Sequence, residues 1–270
     1  MVGQEIIAGR DCPICGGSGE IIGEKMGHEI RECLGKVGAE HASMGLSWAW
    51  DSEEEYEKLY SMDYHTREQK REGQRSFWQR DTECLVAGIE RFRSLETHNI
   101  VRYGVRGNYF PKALDVGCGT GAMLPIMESY GFTTLGIEPN VDMTKAAQGL
   151  GRNVIHGTWR DIFGEWELIT MFDVFEHLTR PMECLAVIRE NLKPGGLLVV
   201  EFPAWNCPQH VQDGLDWKHI RPRQHLFLPS RSAACMMFEL AGFDSVRILL
   251  PKGGVLGKIS CVLMKPRDEK

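Results

Sequence analysis

Apolar runs alternate with polar, helix-periodic segments through about the last 160 residues of the chain. Each run is short enough for a strand, and the segments between runs repeat their apolar positions at helical spacing. This alternation predicts an α/β fold with a mainly parallel sheet. The predicted elements are strands at 113–116, 133–137 and 153–155 and helices at 123–130 and 143–148.

A charged segment from Ser52 to about Arg93 also carries a helical pattern. Ser52 is placed as an N-cap, and Glu53 to Glu55 fall in the first turn, where carboxylates interact favourably with the helix dipole. Aromatic and aliphatic residues recur along the segment at helical intervals. Such a stripe predicts a packed face rather than a binding surface.

The first 45 or so residues are rich in glycine and lack a periodic apolar pattern, which predicts a small unit held by something other than a core. Cys12-Pro-Ile-Cys15 is spaced to place two thiolates on one metal ion, and Cys33 is the expected third ligand. No further cysteine completes the pattern. His28 or His41 is therefore the expected fourth ligand, and His41 is included in the predicted zinc set. The alternative is a knuckle without metal.

Composition limits the function classes. With 270 residues, the chain can hold one full α/β domain and a smaller appendage. A net charge of −6 without a long Lys/Arg run argues against nucleic acid as a partner. No apolar stretch approaches the roughly 20 residues needed to span a bilayer, and the N-terminus lacks a signal-peptide pattern, so we expect a cytoplasmic protein without a membrane span. Nine scattered cysteines predict reduced thiols.

The most informative segment is Leu114-Asp-Val-Gly-Cys-Gly-Thr-Gly121, an apolar run that ends in three glycines at alternate positions. Gly117, Gly119 and Gly121 allow backbone conformations closed to residues with a Cβ and let a ligand lie on the main chain. The pattern predicts a strand that leads into a nucleotide-binding turn. Its continuation to Ala122 also fits the dinucleotide fingerprint, so an NAD-dependent oxidoreductase remains an alternative.

This loop and three later motifs resemble, in order, those of the class I S-adenosylmethionine (SAM) dependent methyltransferases. Glu138 follows Gly121 by seventeen residues at the end of a second apolar run. The resemblance implies that Glu138 accepts hydrogen bonds from the ribose hydroxyls and that Asp115 organises the loop and reaches the methionine part of SAM. It implies a cofactor-binding set of Asp115, Gly117, Cys118, Gly119, Gly121, Glu138, Pro139, Trp159, Asp161 and Asp173.

Two downstream segments carry the rest of the resemblance. Residues 167–178, Glu-Leu-Ile-Thr-Met-Phe-Asp-Val-Phe-Glu-His-Leu, resemble the family's fourth strand with its following loop. Lys193-Pro-Gly-Gly196 resembles the entry to the fifth strand and is predicted as a turn that stops a helix. Two β-rich runs at 243–250 and 258–264 suit the closing antiparallel strands of the fold. Thr158 and Trp159 fall where the family contacts adenine.

Methyl transfer needs an in-line approach, a dry site and sometimes a base. His177, His225 and Glu176 are the candidate catalytic residues, because they follow predicted strands where α/β sheets place their sites. Structural roles for these residues are the alternative. A further alternative places Asp173, Glu176 and His177 with His225 or His219 around a divalent cation, as in some metal-assisted O-methyltransferases that act on small RNA or quinones.

The sequence therefore predicts a Rossmann-like class I methyltransferase sheet, mainly parallel with an antiparallel last strand. Its predicted divisions are a small cysteine-containing, candidate zinc-binding unit at 1–48, a helical lid or linker at 49–100, and a SAM-binding domain at 101–270. The N-terminus resembles zinc-binding segments attached to some sugar and small-molecule methyltransferases. The expected acceptor is a small molecule methylated at a hydroxyl, of sugar, natural-product or quinone-like class. A non-catalytic binding protein with the same fold is the alternative from another class.

Overall fold

The computed structural model describes residues 6–35, 43–62, 77–97, 111–244, 246–249 and 257–267. The strands are β1 (Glu20–Lys25), β2 (His28–Cys33), β3 (Met44–Ser47), β4 (Lys112–Val116), β5 (Thr133–Glu138), β6 (Val154–His156), β7 (Trp166–Phe172), β8 (Leu192–Pro203), β9 (Phe227–Pro229), β10 (Val246–Leu249) and β11 (Lys258–Met264). The helices are α1 (Glu53–Met62), α2 (Phe77–Thr97), α3 (Met123–Ser129), α4 (Val141–Gly149), α5 (Pro181–Asn191), α6 (Pro208–Asp213) and α7 (Arg231–Leu240).

The larger sheet has seven strands in the order β10-β11-β8-β7-β4-β5-β6. β4 pairs in parallel with both β5 and β7, and β5 pairs in parallel with β6. The closing strands β10 and β11 are antiparallel. The predicted α/β fold is confirmed, with strand bounds that differ from the sequence-based ones by one residue at most for β4, β5 and β6.

The helix predicted at 143–148 begins two residues earlier, at Val141. Asn140 causes this difference. Its side-chain oxygen accepts hydrogen bonds from the backbone N–H groups of Asp142 and Met143, each at 3.0 Å, and so caps the first turn. The apolar pattern located the helix, and the polar cap fixes where it starts.

The predicted turn at 193–196 lies inside the assigned span of β8 instead of before it. Gly195 does adopt a left-handed conformation, with φ of 76°, as a turn glycine would. However, its N–H donates to the Lys265 carbonyl at 3.0 Å, and the Lys265 N–H donates to the Gly196 carbonyl at 3.0 Å. These cross-strand bonds hold the segment in the sheet, so β8 follows α5 without a separate turn.

Contacts divide the chain into two compact units. The first unit comprises Met1–Glu53, Asp173–Arg189 and Val200–Leu263; the second comprises Glu54–Phe172, Glu190–Val199 and Met264–Lys270. In the first unit, an antiparallel sheet runs in the order β1-β2-β3-β9. Because β3 pairs with β9, the N-terminal strands share a sheet with a segment some 180 residues later in the sequence. The divisions at 48 and 100 stay predictions, and the two compact units have other bounds.

An aromatic cluster forms the centre of the first unit. The ring of Phe175 lies 5.5 Å from Phe202, 5.3 Å from Phe227 and 5.7 Å from Phe238, measured between centroids. All four side chains are buried. Such ring pairs add packing energy beyond the area they bury. The three ring contacts of Phe175 fix the short 3-10 helix at Phe175–His177. They thereby hold the polar residues Glu176 and His177 beside an apolar core.

A buried ion pair joins α2 to the glycine loop within the second unit. The Arg152 guanidinium donates to both carboxylate oxygens of Asp81, at 2.5 and 3.0 Å, and to the Thr120 carbonyl at 2.7 Å. Burial alone would raise the pKa of the Asp81 carboxyl, but its hydrogen bonds, with Arg152 foremost, bring that pKa below its usual range. No local sequence signal connects residues 81 and 152.

We expect Asp81→Ala to lower the free energy of unfolding by about 3 kcal/mol, because it leaves the Arg152 charge buried without its partner. Urea denaturation measures the change. Glu54→Gln, at an exposed helical pair with Lys58, is the control and should leave the midpoint unchanged. Since the folded-state pKa of Asp81 is depressed, its contribution is complete above the unfolded pKa near 4 and is lost as the pH falls through the folded value. A variant as stable as the wild type at pH 7 would contradict this role.

Candidate active site

The glycine loop leaves β4 and turns through three residues with positive φ: 69° at Gly117, 56° at Gly119 and 72° at Gly121. Two of these glycines serve different purposes. A Cβ at Gly121 would lie 3.2 Å from the side chains of Arg152, Leu124 and Val154, so packing excludes a larger residue there. Among the described residues, a Cβ at Gly119 would meet only the Met143 methyl, at 3.8 Å. The loop therefore keeps open space above Gly119.

Glu138 ends β5 and connects directly to this loop. One carboxylate oxygen accepts the Gly119 N–H at 2.7 Å, and the other accepts the Asn140 N–H at 2.9 Å. Burial raises the pKa of Glu138, while the two N–H donors oppose that rise. Each oxygen keeps a second lone pair, so the carboxylate can still accept hydrogen bonds from a ligand. The structure thus brings together Gly119 and Glu138, two members of the predicted cofactor-binding set.

Asp115 and Cys118 face inward from β4 and the loop. Asp115 is buried and accepts a hydrogen bond from the Thr170 hydroxyl at 2.6 Å, which anchors β4 to β7. The Cys118 sulfur occupies the space over Gly136, where a Cβ would come within 2.5 Å of it. Burial, followed by the nearby carboxylates Asp115 and Glu138, raises the pKa of the Cys118 thiol, which therefore stays neutral. Contacts of Asp115 and Cys118 with SAM stay predictions.

The segment predicted to meet adenine forms a 3-10 helix at Trp159–Asp161. An Asp161 carboxylate oxygen accepts the Thr158 N–H at 2.7 Å in a capping box, so this acid shapes the loop. Trp159 is buried, with the Arg160 guanidinium 4.4 Å from its ring centroid. The Pro139 carbonyl lies 3.0 Å from His156 Nε2. The roles of Trp159, Asp161 and Pro139 toward the cofactor remain predictions.

The predicted catalytic residues gather in the first unit, with Glu176 and His177 after β7 and His225 just before β9. Glu176, His177 and His225 form what we call the Glu-His-His cluster: one ligand atom from each lies within 4.8 Å of the others. The two imidazole rings are 4.8 Å apart at 70°. Desolvation lowers the pKa of His177 to about 4 and that of His225 well below its usual range, so both rings are neutral at pH 7. Burial raises the pKa of Glu176 well above normal.

Asp173 has an unusual backbone conformation and pairs with a residue outside the cluster. It is a non-glycine residue with φ of 57°, a conformation that costs energy and is often retained at functional sites. Its carboxylate pairs with the Lys258 ammonium, and its N–H donates to the Glu201 carbonyl at 2.9 Å. Lys258 was not among the sequence-based candidates, because 85 residues separate it from its partner and no local pattern marks it.

The three N-terminal cysteines converge as their spacing predicted. The sulfur atoms of Cys12, Cys15 and Cys33 lie within 4.8 Å of one another, and those of Cys15 and Cys33 are 3.6 Å apart. The knuckle is closed by backbone bonds between Cys12 and Gly17 and between Gly16 and Cys12, each at 2.8 Å. His41 lies outside the described residues. Among the described residues, the ligand group at this position does not include His28.

Comparison with known proteins decides the family. A family model described as a methyltransferase domain matches residues 87–248. The chain belongs to the class I SAM-dependent methyltransferases. The family that the order of motifs suggested is thus confirmed. The oxidoreductase alternative is wrong. Among the described residues, no helix is long and apolar enough to cross a membrane.

Curated relatives of this methyltransferase carry the name ubiquinone biosynthesis O-methyltransferase. The protein of that name from Acinetobacter baumannii is 31% identical over 159 residues, covering 53% of this chain and 54% of the relative. The protein from Escherichia fergusonii is 26% identical over 120 residues, covering 39% and 50%. The chain thus spans about half the length of these relatives.

Solved structures support the fold alone. Magnesium protoporphyrin IX methyltransferase from Synechocystis, solved with bound S-adenosylhomocysteine (SAH), matches with a TM-score of 0.54 at 13% identity and covers 79% of this chain and 100% of its own. Human N-acetylserotonin methyltransferase in complex with SAM matches with a TM-score of 0.50 at 16% identity, covering 69% and 56%. Both likenesses agree with a Rossmann-like sheet.

Proposed function

We propose that this protein transfers the methyl group of SAM to a hydroxyl group of a small molecule, and that the acceptor is a quinone-like or phenolic ring. The observation that carries the proposal is the bond from Gly119 N–H to Glu138, which aligns an open glycine loop with a buried carboxylate. Family membership supports SAM as the methyl donor. Among the three predicted acceptor classes, the name of the curated relatives favours the quinone-like one.

The residues of this chain bind SAM and orient it for methyl transfer. SAM carries the reactive methyl group as an electrophilic sulfonium. Glu138 offers acceptor lone pairs to the ribose hydroxyls, and the open face of Gly119 accommodates the ligand against the main chain. The glycine loop follows β4 and Glu138 ends β5, so both lie at the carboxyl ends of neighbouring parallel strands, which is where α/β proteins bind their ligands.

The acceptor side is assigned to the Glu-His-His cluster. His177 Nδ1 lies 2.8 Å from the Gln224 carbonyl, and His225 Nδ1 lies 2.7 Å from the His219 carbonyl. A carbonyl only accepts, so each Nδ1 carries the proton and each Nε2 presents a lone pair. A neutral imidazole in this tautomer can receive the proton of an acceptor hydroxyl as its oxygen attacks the methyl carbon.

Calorimetric titration with SAH tests the cofactor half of the proposal, with NAD as the control ligand. We expect SAH to bind and NAD not to bind. Glu138→Ala should weaken SAH binding by about 10- to 100-fold, because it removes charged hydrogen bonds to the ligand and the loop anchor. Glu165→Ala, at an exposed acid in the same unit, should bind SAH as the wild type does. Equal binding by Glu138→Ala and wild type would contradict the assigned pocket.

Measurements of methyl transfer test the part of the proposal that concerns the acceptor. Methyl transfer from labelled SAM to a dihydroxyphenol, a hexose and an RNA oligonucleotide separates the candidate acceptor classes. Transfer to the dihydroxyphenol alone is the expected result. Transfer to RNA alone would favour the RNA alternative, and tight SAH binding without transfer to any small molecule would favour the non-catalytic binding protein.

We also propose a structural zinc ion on Cys12, Cys15 and Cys33. Zinc prefers tetrahedral thiolate ligands with Zn–S distances of about 2.3 Å, which place sulfur atoms roughly 3.8 Å apart. The separation of 3.6 Å between Cys15 and Cys33 fits that geometry. Burial raises the pKa of both Cys12 and Cys33, so a cation would be needed to hold them as thiolates. His41 remains the predicted fourth ligand.

A further inference from the structure

We infer that Trp217 and His219 form a subsite that binds a carboxylate group of the acceptor. The inference rests on the function proposed above for the identity of the ligand as a methyl acceptor, whereas the subsite itself does not. Both residues lie in the first unit, in the segment between β8 and β9. They are distinct from the Glu-His-His cluster, to which the reacting hydroxyl is assigned.

Each of the two residues buries a ring nitrogen that lacks a hydrogen-bond partner. Trp217 is 0% exposed and His219 is 9% exposed. Within the described part of the chain, Trp217 Nε1 and His219 Nε2 are two of the buried side-chain atoms without a partner. Buried polar atoms are nearly always paired, because an unpaired one has lost its water without compensation. A ligand that reaches both nitrogens would restore the missing hydrogen bonds.

The two nitrogens define the chemistry of the ligand. An indole N–H only donates, so the atom that Trp217 binds must be a hydrogen-bond acceptor. The His219 ring is neutral at pH 7, since desolvation lowers its pKa to about 4, and it can carry its single proton on Nε2. The two rings are 5.0 Å apart between centroids and 64° between planes. A carboxylate, which only accepts and has two oxygen atoms, suits a pair of donors at this spacing.

The charges around His219 favour an anion over a neutral group. After burial, the positive charges of Lys258, Lys218 and Arg221 lower the pKa of His219 further, whereas Asp173 opposes them. Asp173 is itself paired with the Lys258 ammonium. Positive charge near the ring therefore exceeds negative charge, which stabilises a ligand of negative charge.

The N-terminal sheet holds the segment that carries Trp217. At the end of β1, Lys25 Nζ donates to the Leu215 carbonyl at 2.6 Å and to the Trp217 carbonyl at 2.9 Å. The same strand packs closely on this segment, because a Cβ at Gly23 would come within 2.3 Å of Leu215 Cδ1. The backbone that leads into Trp217 is thus fixed before a ligand binds, which reduces the entropy lost on binding.

Neighbouring rings fix the orientation of the subsite and connect it to the Glu-His-His cluster. The Trp217 ring lies 5.1 Å from that of His210 between centroids. The His219 ring stacks on that of His225, a member of the cluster, at 6.0 Å and 16° between planes. An acceptor with a hydroxyl and a carboxylate on one aromatic ring can therefore contact both places. The expected class of acceptor is a dihydroxyphenol that carries a carboxylate.

Calorimetric titration without SAM or SAH tests the subsite independently of the cofactor. The ligands are catechol, protocatechuate, which is catechol with one carboxylate, and the corresponding neutral amide. We expect the wild type to bind protocatechuate about 10- to 100-fold more tightly than catechol, because hydrogen bonds to a charged group are the stronger ones. The amide should fall between the two. Equal affinity for protocatechuate and catechol, or no binding of protocatechuate, would overturn the subsite.

Trp217→Phe removes the indole N–H and keeps an aromatic ring. We expect this variant to lose most of the preference for protocatechuate over catechol. Trp166→Phe is the matched control, because it removes an indole N–H that donates to the Phe163 carbonyl in the second unit, and it should keep the wild-type preference. Full preference in a folded Trp217→Phe would show that the indole does not bind the carboxylate and would contradict the inference.

The ligand series on the wild type keeps the inference testable if Trp217→Phe does not fold. Equal affinity for the amide and protocatechuate would contradict an anion subsite. Methyl transfer from labelled SAM to the same three ligands separates this inference from the proposed function. Tight binding of protocatechuate without transfer to any of them would support the subsite and contradict only the proposed function. Transfer to catechol by a protein that binds all three ligands alike would support the proposed function and overturn only the subsite.

Discussion

Gly119→Arg is expected to abolish SAH binding while the protein stays folded. Within the part of the chain that the structure describes, a Cβ at Gly119 would meet the Met143 methyl alone, at 3.8 Å, so we expect an arginine side chain to fit there without displacing the core. It would then fill the volume that the proposed cofactor needs. The residue must hold φ of 56°, which costs about 1–2 kcal/mol for a non-glycine residue and is small against total stability. Calorimetry with SAH and circular dichroism measure the two effects.

Gly149→Arg provides the matched control for this substitution. Gly149 ends α4, is exposed, and would place a new Cβ in open space. The same charge and bulk are thus added to the same unit away from the loop, and we expect wild-type affinity for SAH. Gly119→Ala adds only a Cβ and should give an intermediate loss. Wild-type affinity in Gly119→Arg would mean that the glycine loop does not hold the cofactor.

Loss of the proposed N-terminal zinc is the second large effect that we expect. Cys33→Ser should reduce bound zinc by about one equivalent and lower the thermal midpoint, because the proposed ion would tie the knuckle at Cys12 and Cys15 to the end of β2. Structural zinc contributes its binding free energy to folding, about 10–16 kcal/mol in isolated zinc-finger peptides. Here hydrogen bonds between β2 and β3 support the same segment, so we expect a smaller loss of about 3 kcal/mol.

Two further variants sharpen the zinc experiment. Cys84→Ser removes an exposed thiol on α2 and should change neither zinc content nor thermal midpoint. His41→Ala tests the predicted fourth ligand, and weaker zinc binding is the expected result. Wild-type protein purified without zinc, with a thermal midpoint that EDTA and Cys33→Ser leave unchanged, would show that the knuckle binds no metal.

Much of the second unit could be predicted from local sequence. The strands at β4, β5 and β6 were found from short apolar runs, and α1 begins at Glu53, directly after the Ser52 predicted to cap it. Such elements are encoded by neighbouring residues, because apolar periodicity and capping act within one or two turns. Gly119 and Glu138 were both assigned to the cofactor-binding set from the sequence, and the structure adds the hydrogen bond that joins them at the ends of adjacent parallel strands.

The sequence by itself thus determined the α/β fold, the glycine loop and the cysteine knuckle, for which spacing along the chain carries the information. Only the tertiary structure decided what depends on distant residues: the pairing of β3 with β9 and the ion pair of Asp81 with Arg152. Long-range contacts form where the chain closes large loops, and the residues involved carry no mark of their partners. For that reason Asp173, a candidate metal ligand by sequence, pairs in the structure with Lys258.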